Sequence, residues 1–442
     1  MSEESNRREF LKTATLAAGL TALGGVWTEG AKAQSKSPNE TLNVANIGVG
    51  GQGGGDLGTI GTIDGVNIVA LCDVDEERAA GSFRRFPKAK KYNDFRIMLE
   101  KEHKNIDAVV VSTPDNCHAV AAVMAMKIGK HIYCQKPLAH DVYEARIMTE
   151  TAAKHKVVTQ MGTQGRPPYV RTVEYIQRDV IGAVREVHVW TDRPAGWWPQ
   201  GQERPTDTPP VPSTLHWDLW LGPAAERAYN PAYLPFVWRG WWDFGTGALG
   251  DMACHLMDCA FWALGLKYPL SVVAESDGAT KDSPPKWSVI HYEFPARGDR
   301  PPVKLTWYDG GKRPSDDLLE GHTVSPTFNG SLFIGDKGKI LVEHGGDPML
   351  LPEARNKGFN GPDPFLPRSP GHYLEWVNAC RSGGTTGSHF GYSGPMTETV
   401  LLGNVALRVG KKIEWDAKHL KAVNCPEANA YLRRNYRKGW KL

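Results

Sequence analysis

No apolar run in this 442-residue chain is long enough to span a membrane; residues 14–26 form a modestly apolar stretch that is too short. Excess charge of one sign is also missing. Lys and Arg number 52 against 49 Asp and Glu, a formal net charge of +3, and the basic residues interleave with acidic ones. That balance lacks the basic stripe of a nucleic-acid footprint and excludes nucleic acid as a partner. Its 23% charged residues do not suggest disorder either. The seven cysteines show no CxxC pair and no zinc-ribbon spacing, so they read as small buried residues and not as a disulfide framework. An internal repeat and a low-complexity tail are absent as well. What is left is an ordinary folded protein, long enough for two cores.

The amino-terminal residues carry their own pattern. Arg7 and Arg8 are paired, the apolar stretch 14–26 follows, and Ala31-Lys32-Ala33 offers small residues at the −3 and −1 positions of a cleavage site. This order resembles a twin-arginine signal over residues 1–33. The resemblance implies the export machinery as a partner and a periplasmic or otherwise exported protein. Residues 34–41 read as a linker.

From residue 42, short apolar runs alternate with amphipathic segments, as in βαβ units. Strands are predicted at 42–47, 66–72, 108–112, 131–134 and 157–161, with helices at 116–126 and 142–155. The fold expected is α/β, with a doubly wound parallel Rossmann sheet at 42–162. Composition changes after about Val189: residues 193–235 read as a long Pro- and Trp-rich loop, a length uncommon without function. Nine of the 15 tryptophans lie between Trp190 and Trp262, which concentrates aromatic surface there. One helix is predicted over 248–264, then strands at 270–274, 287–294, 303–308, 331–334 and 339–342 without helical crossovers. A second α/β domain at 163–425, containing a large and mostly antiparallel open sheet, is therefore expected. Late helices at 372–380 and 397–409 and a tail at 426–442 complete the chain.

Gly48-Val49-Gly50-Gly51-Gln52-Gly53 follows the first strand directly. Gly48 permits a tight turn, Gly50 lets amides approach a pyrophosphate, Gly53 allows close helix packing, and Gln52 lies where the helix begins. Asp73 ends the second strand, twenty residues beyond Gly53, where a carboxylate can bind ribose hydroxyls and repel a 2′-phosphate. NAD is the cofactor this pattern favours. A merely flexible loop and a turn aspartate are the bland alternatives.

Two further motifs are Thr113-Pro114-Asp115-Asn116-Cys117-His118 and Cys134-Gln135-Lys136-Pro137. With Gly250-Asp251-Met252-Ala253-Cys254-His255-Leu256-Met257-Asp258, they resemble the Gfo/Idh/MocA oxidoreductases over nearly all of the chain from residue 42. The resemblance implies that Lys136 lies beside the nicotinamide and reaches the reacting hydroxyl, and that Asp251 and His255 form a pair on a helix of the second domain. Thr113, Pro114, His118 and Gln135 would line the cofactor. Gln135 stands where the family pattern has Glu, which removes a charge beside Lys136. The family also implies a homo-oligomer.

The chemistry can be argued independently. Oxidising an alcohol needs a hydride acceptor and a base; imidazole suits the proton and a lysine can stabilise a developing alkoxide. Asp251 and His255, four apart on a helix, share a face, so the aspartate can orient the ring. No metal is expected. Trp198 and Trp242 offer faces for a pyranose ring, and Arg166, Arg239 and Asp243 could bond its hydroxyls. The substrate class is then a sugar or glycoside. Three outcomes stay open: oxidoreduction with a tightly held, recycled cofactor; NAD-dependent glycoside cleavage through a transient ketone; and a non-catalytic NAD-binding protein.

Overall fold

The computed structural model describes residues 41–442; the expected export signal and most of the linker lie outside them. The first sheet has six parallel strands: β1 (Leu42–Ile47), β2 (Val66–Cys72), β3 (Lys90–Tyr92), β4 (Ala108–Val111), β5 (His131–Cys134) and β6 (Thr159–Met161). Their order is β3-β2-β1-β4-β5-β6. The alternating segments of the sequence become α1 (Gln52–Ile60), α2 (Glu76–Arg85), α3 (Phe95–Glu102), α4 (Asp115–Lys127) and α5 (Val142–His155). Asp75, Asp94 and Asp141 cap α2, α3 and α5 by accepting from backbone amides of the first turn. Strand order reverses between β1 and β4, which opens a crevice at their carboxyl ends.

The second sheet draws on β7 (Val184–Trp190), β8 (Ser271–Ser276), β9 (Ser288–Phe294), β10 (Val303–Tyr308), β11 (Gly330–Gly335), β12 (Lys339–Glu343), β13 (Met349–Leu351), β14 (Ile413–Asp416) and β15 (Lys421–Ala422). Their order is β13-β12-β11-β7-β10-β9-β8-β14-β15. It is antiparallel except where β7 and β10 run parallel. Strand β7 lies in a stretch for which no element was expected, just before the change of composition.

The remaining helices are α6 (Val170–Gln177), α7 (Trp217–Leu221), α8 (Gly247–Leu256), α9 (Asp258–Leu264), α10 (His372–Ser382) and α11 (Phe390–Val409). The single helix expected over 248–264 is thus two, broken at Met257. The break is satisfied locally: Ser331 Oγ donates to the Leu256 carbonyl at 2.9 Å, and Tyr392 Oη donates to the Asp258 carboxylate at 2.6 Å. Helix α11 starts seven residues earlier than expected and carries Pro395 inside it. Gly394 lets Thr149 of α5 approach so closely that a Cβ there would collide with its hydroxyl.

Two late segments return to the first sheet. Trp376 of α10 donates to the Ile132 carbonyl at 3.1 Å, and Tyr373 Oη reaches Asp56 at 2.7 Å. In the tail, Arg434 bonds Glu144 at 2.7 Å, and the guanidinium of Arg96 lies 4.3 Å from the Trp440 ring.

Candidate active site

At the end of β1 the chain turns through Gly48 at φ +80, where a Cβ would stand 2.6 Å from the Ser112 carbonyl oxygen of the neighbouring strand. A Cβ on Gly53 would collide with the Gly48 carbonyl, and one on Gly50 would press Arg78 at 3.2 Å. The cradle therefore needs glycine for packing, and Gln52 opens α1 with its free amides toward the crevice end of the sheet. Asp73 accepts from the amides of Val49 (2.7 Å) and Gly50 (3.2 Å) and, through its other oxygen, from Asp75 (3.0 Å). Burial pushes its carboxyl up, and these amides pull it back in part. Before any ribose arrives, Asp73 already shapes the glycine loop. These residues fit a dinucleotide.

Across the crevice, Thr113 and Pro114 lead into α4, where Pro114 occupies the cap position. His118 bridges this turn to the next: its Nδ1 lies 2.8 Å from the Pro137 carbonyl and its Nε2 2.9 Å from that of Thr113. Burial lowers its pKa to about 4, so the ring is neutral and donates only one of these bonds. His118 therefore sits between two cofactor-side turns and is bonded to one of them at a time.

The candidate chemical centre lies where β5 ends. The Lys136–Pro137 peptide is cis. Lys136 Nζ donates to Asp251 Oδ1 and to the Asp251 carbonyl, both at 2.8 Å. Arg239 Nε reaches the same carboxylate oxygen at 2.8 Å. Burial alone would raise the Asp251 carboxyl, but Lys136 and Arg239 hold it well below the usual carboxylate range. The expected pairing of Asp251 with His255 is not what forms: two cations claim the carboxylate instead. His255 is 8% exposed, and its Nδ1 is buried without a hydrogen-bond partner. Burial, then Lys136 and His344, lower its proton affinity well below the ordinary value, against a smaller opposing pull from Asp251.

Two regions of the chain match family models: residues 42–163 the oxidoreductase family's NAD-binding Rossmann fold, and residues 176–301 its C-terminal alpha/beta domain. The chain belongs to the Gfo/Idh/MocA oxidoreductase family. It is 26% identical over 267 residues to glycosyl hydrolase family 109 protein 2 of Akkermansia muciniphila, covering 51% of this chain and 56% of that protein. It is 30% identical over 128 residues to the inositol 2-dehydrogenase of Salmonella typhimurium, covering 28% of this chain and 38% of that one. The matched parts thus span between about a third and just over half of these curated relatives. The WlbA dehydrogenase of Bordetella pertussis, solved with NADH and UDP-GlcNAcA, shares the fold at a TM-score of 0.58 and 19% identity, over 85% of this chain and 99% of that one. The cofactor of this Gfo/Idh/MocA protein is NAD.

The departure from the family's Glu at position 135 has a structural counterpart. Gln135 Nε2 donates to both oxygens of Asp56 (3.1 and 2.9 Å), a fully buried carboxylate on α1. Asp56 also accepts from Ser112 Oγ at 2.7 Å, Gln52 Nε2 at 2.9 Å and Tyr373 Oη at 2.7 Å. A glutamate at 135 would face this carboxylate as a like charge. Gln135→Glu is therefore expected to lower stability by about 1–3 kcal/mol, and Asp56→Asn added to it to restore much of that loss, as read by urea unfolding.

Of the five residues expected to contact substrate, only Arg239 reaches the Lys136 centre. Arg166 is a correction: it is buried in an ion pair with Asp258, its guanidinium 4.2 Å from the Trp262 ring and 4.4 Å from the Tyr392 ring. Trp198 is buried and bonds Gln200 at 3.0 Å, Trp242 is buried, and Asp243 pairs with Arg204 and Arg227. Over residues 193–236 two aromatic rings stay open, Trp197 and Phe236, at 47% and 42% exposed, with centroids 6.4 Å apart, and the Arg193 guanidinium lies 3.6 Å from the Trp197 centroid. Arg239 packs 4.3 Å from the Phe236 centroid, which links this rim to the centre.

Three groups of the site carry no role in the sequence reading: Asp56, Asp115 and His344. Asp115 accepts from Thr246 Oγ1 at 2.7 Å, and burial pushes its carboxyl up to about 7 despite Thr246, Arg239 and Lys136. Its place inside the Thr113–His118 motif was the one available signal.

Proposed function

We propose that the chain is an NAD-dependent oxidoreductase that works at a CH–OH carbon of a sugar, cyclitol or glycoside and keeps its cofactor through successive turnovers. The carrying observation is the convergence of Lys136, Asp251, Arg239 and His255 at the carboxyl end of β5, beside the dinucleotide crevice. NAD, held by the glycine loop, Asp73 and the turns at Thr113 and Lys136, supplies the hydride acceptor. Lys136, fixed by Asp251, stabilises the negative charge that develops on the substrate oxygen. His255 is neutral at physiological pH and is therefore able to accept the hydroxyl proton. The exposed rim of Trp197 and Phe236 suits the C–H face of a pyranose ring.

Cofactor retention is supported by the loop over residues 193–235. It crosses back to the first domain, where the Glu76 amide donates to the Thr214 carbonyl (2.9 Å) and the His216 amide to Val74 (2.8 Å), next to Asp73. Asn116 Nδ2 then donates to the Leu221 carbonyl at 2.9 Å, and Arg437 locks the strap by bonding the Gly222 carbonyl and the Asp218 carboxylate, both at 2.6 Å. A strap tied down beside both Asp73 and the α4 turn would slow the departure of NAD. A twin-arginine signal at residues 1–33, as the sequence suggests, would fit this reading, because folded export would carry the bound cofactor along. Arg437→Ala is expected to speed NADH release about tenfold, from the loss of charge-assisted bonds, as measured by fluorescence chase with excess NAD.

A second reading, glycoside cleavage through a transient ketone, is favoured by the similarity to the Akkermansia glycosyl hydrolase family 109 protein. Incubating the purified protein with glycosides and no added NAD separates the two. A keto-sugar with bound NADH supports oxidoreduction; free monosaccharide without net redox change supports cleavage. If neither forms, the proposal falls.

A further inference from the structure

His344 follows β12, and its amide donates to the Asn329 carbonyl at 2.8 Å. Its ring centroid lies 5.0 Å from that of His255, with the planes at 45°. Gly165 makes room for it: a Cβ there would collide with His344 Nε2. That Nε2 and His255 Nδ1 are both buried and lack hydrogen-bond partners, although each belongs to a side chain built to donate or accept. His255 is buried, whereas His344 is half-buried, so the pair forms a gradient from the Lys136 centre toward solvent.

We infer that His344 is the outer member of a two-imidazole proton path, taking from His255 the proton lost by the substrate hydroxyl and releasing it to water. This rests on the oxidoreductase reading above. In the step itself, the O–H bond breaks and its electron pair becomes the second carbon–oxygen bond, the hydride of that carbon goes to the nicotinamide that would be bound there, and neutral His255 gains the proton. Keeping it there is unfavourable, because the ring is buried and Lys136, His344 and His372 add to that cost while Asp251 opposes it. The rings share no direct hydrogen bond at rest, so a ring turn or a bridging water has to join them; passing the proton on then breaks one N–H bond on His255 and forms one on His344, which returns His255 to its neutral form. Burial, then Lys136 and Arg193, lower the proton affinity of His344 as well, but its half-buried ring keeps more of the solvation of its charged form than the buried ring of His255 does. The proton therefore moves downhill outward. Because His344 acts through His255, it is a positioning and relay residue and need not touch substrate.

The test uses the NAD-loaded full chain. In weak buffer, His344→Ala is expected to slow sugar-dependent reduction of the bound nicotinamide by roughly tenfold or more, and added imidazole to restore most of the rate. A residue that merely fills space over Gly165 gives no imidazole rescue, and either an unchanged rate or an unrescued one overturns the inference. A second readout needs no substrate: histidine-ring NMR across pH is expected to show His344 titrating at higher pH than His255. The reverse order overturns the inference too. Wild-type protein that reduces no bound cofactor with any sugar defeats the oxidoreductase reading instead, and the NMR order still judges His344.

Discussion

Lys136→Met is expected to lower sugar-dependent reduction of bound NAD by about a thousandfold, while the protein keeps its cofactor. Methionine matches the length of the lysine stem but carries no charge, so the alkoxide loses its nearest cation. The glycine loop, Asp73 and the His118 bridge are untouched by the change, which is why NAD stays bound. Arg239 still neutralises Asp251 through its own 2.8 Å bond, so the fold survives. The measurement is paired: single-turnover absorbance of the nicotinamide for chemistry, and native mass spectrometry for cofactor content. Loss of both together would make Lys136 a cofactor-binding residue and not a catalytic one.

Asp251→Asn is expected to cost more in stability than any other substitution in the site, about 3–5 kcal/mol, because it leaves two partly buried cations facing an uncharged amide. Activity falls with it, since the carboxylate is what aims Lys136. A pH signature accompanies the loss. An aspartate normally titrates near pH 3.9, and the cations hold that of Asp251 lower in the folded protein. Its contribution is therefore complete above about pH 5 and is lost as pH falls through the depressed value. Wild-type protein should lose stability between about pH 5 and 2 more steeply than Asp251→Asn, as seen in melting curves across that range.

Much of the first domain was legible because its strands are short, apolar and separated by amphipathic helices with aspartate caps. The glycine loop and Asp73 could be placed by spacing alone. What stayed hidden depends on partners distant in sequence. At the break at Met257, Ser331 takes up the Leu256 carbonyl and Tyr392 the Asp258 carboxylate, and neither partner is visible from the local pattern. The first turns of α11 contain Gly391, Gly394 and Pro395, each of which reads as a breaker until α5 is packed against them. At the site, the four-residue spacing put Asp251 and His255 on one face, but which group the carboxylate serves was decided by Lys136 and Arg239 from other elements. Arg166 looked like a hydroxyl ligand, since nothing local announced its buried partner Asp258. His344 belongs to no motif, and it enters the site only because β12 ends beside α8.

The most direct test of sugar oxidation at Lys136 is the nicotinamide absorbance of the purified protein, without added NAD, when pyranosides and cyclitols are offered one at a time. A rise at the reduced-nicotinamide band is expected with at least one of them in wild-type protein and with none in Lys136→Met. Protein that carries NAD yet shows no rise and no altered sugar, or a rise that persists undiminished in Lys136→Met, would contradict that chemistry.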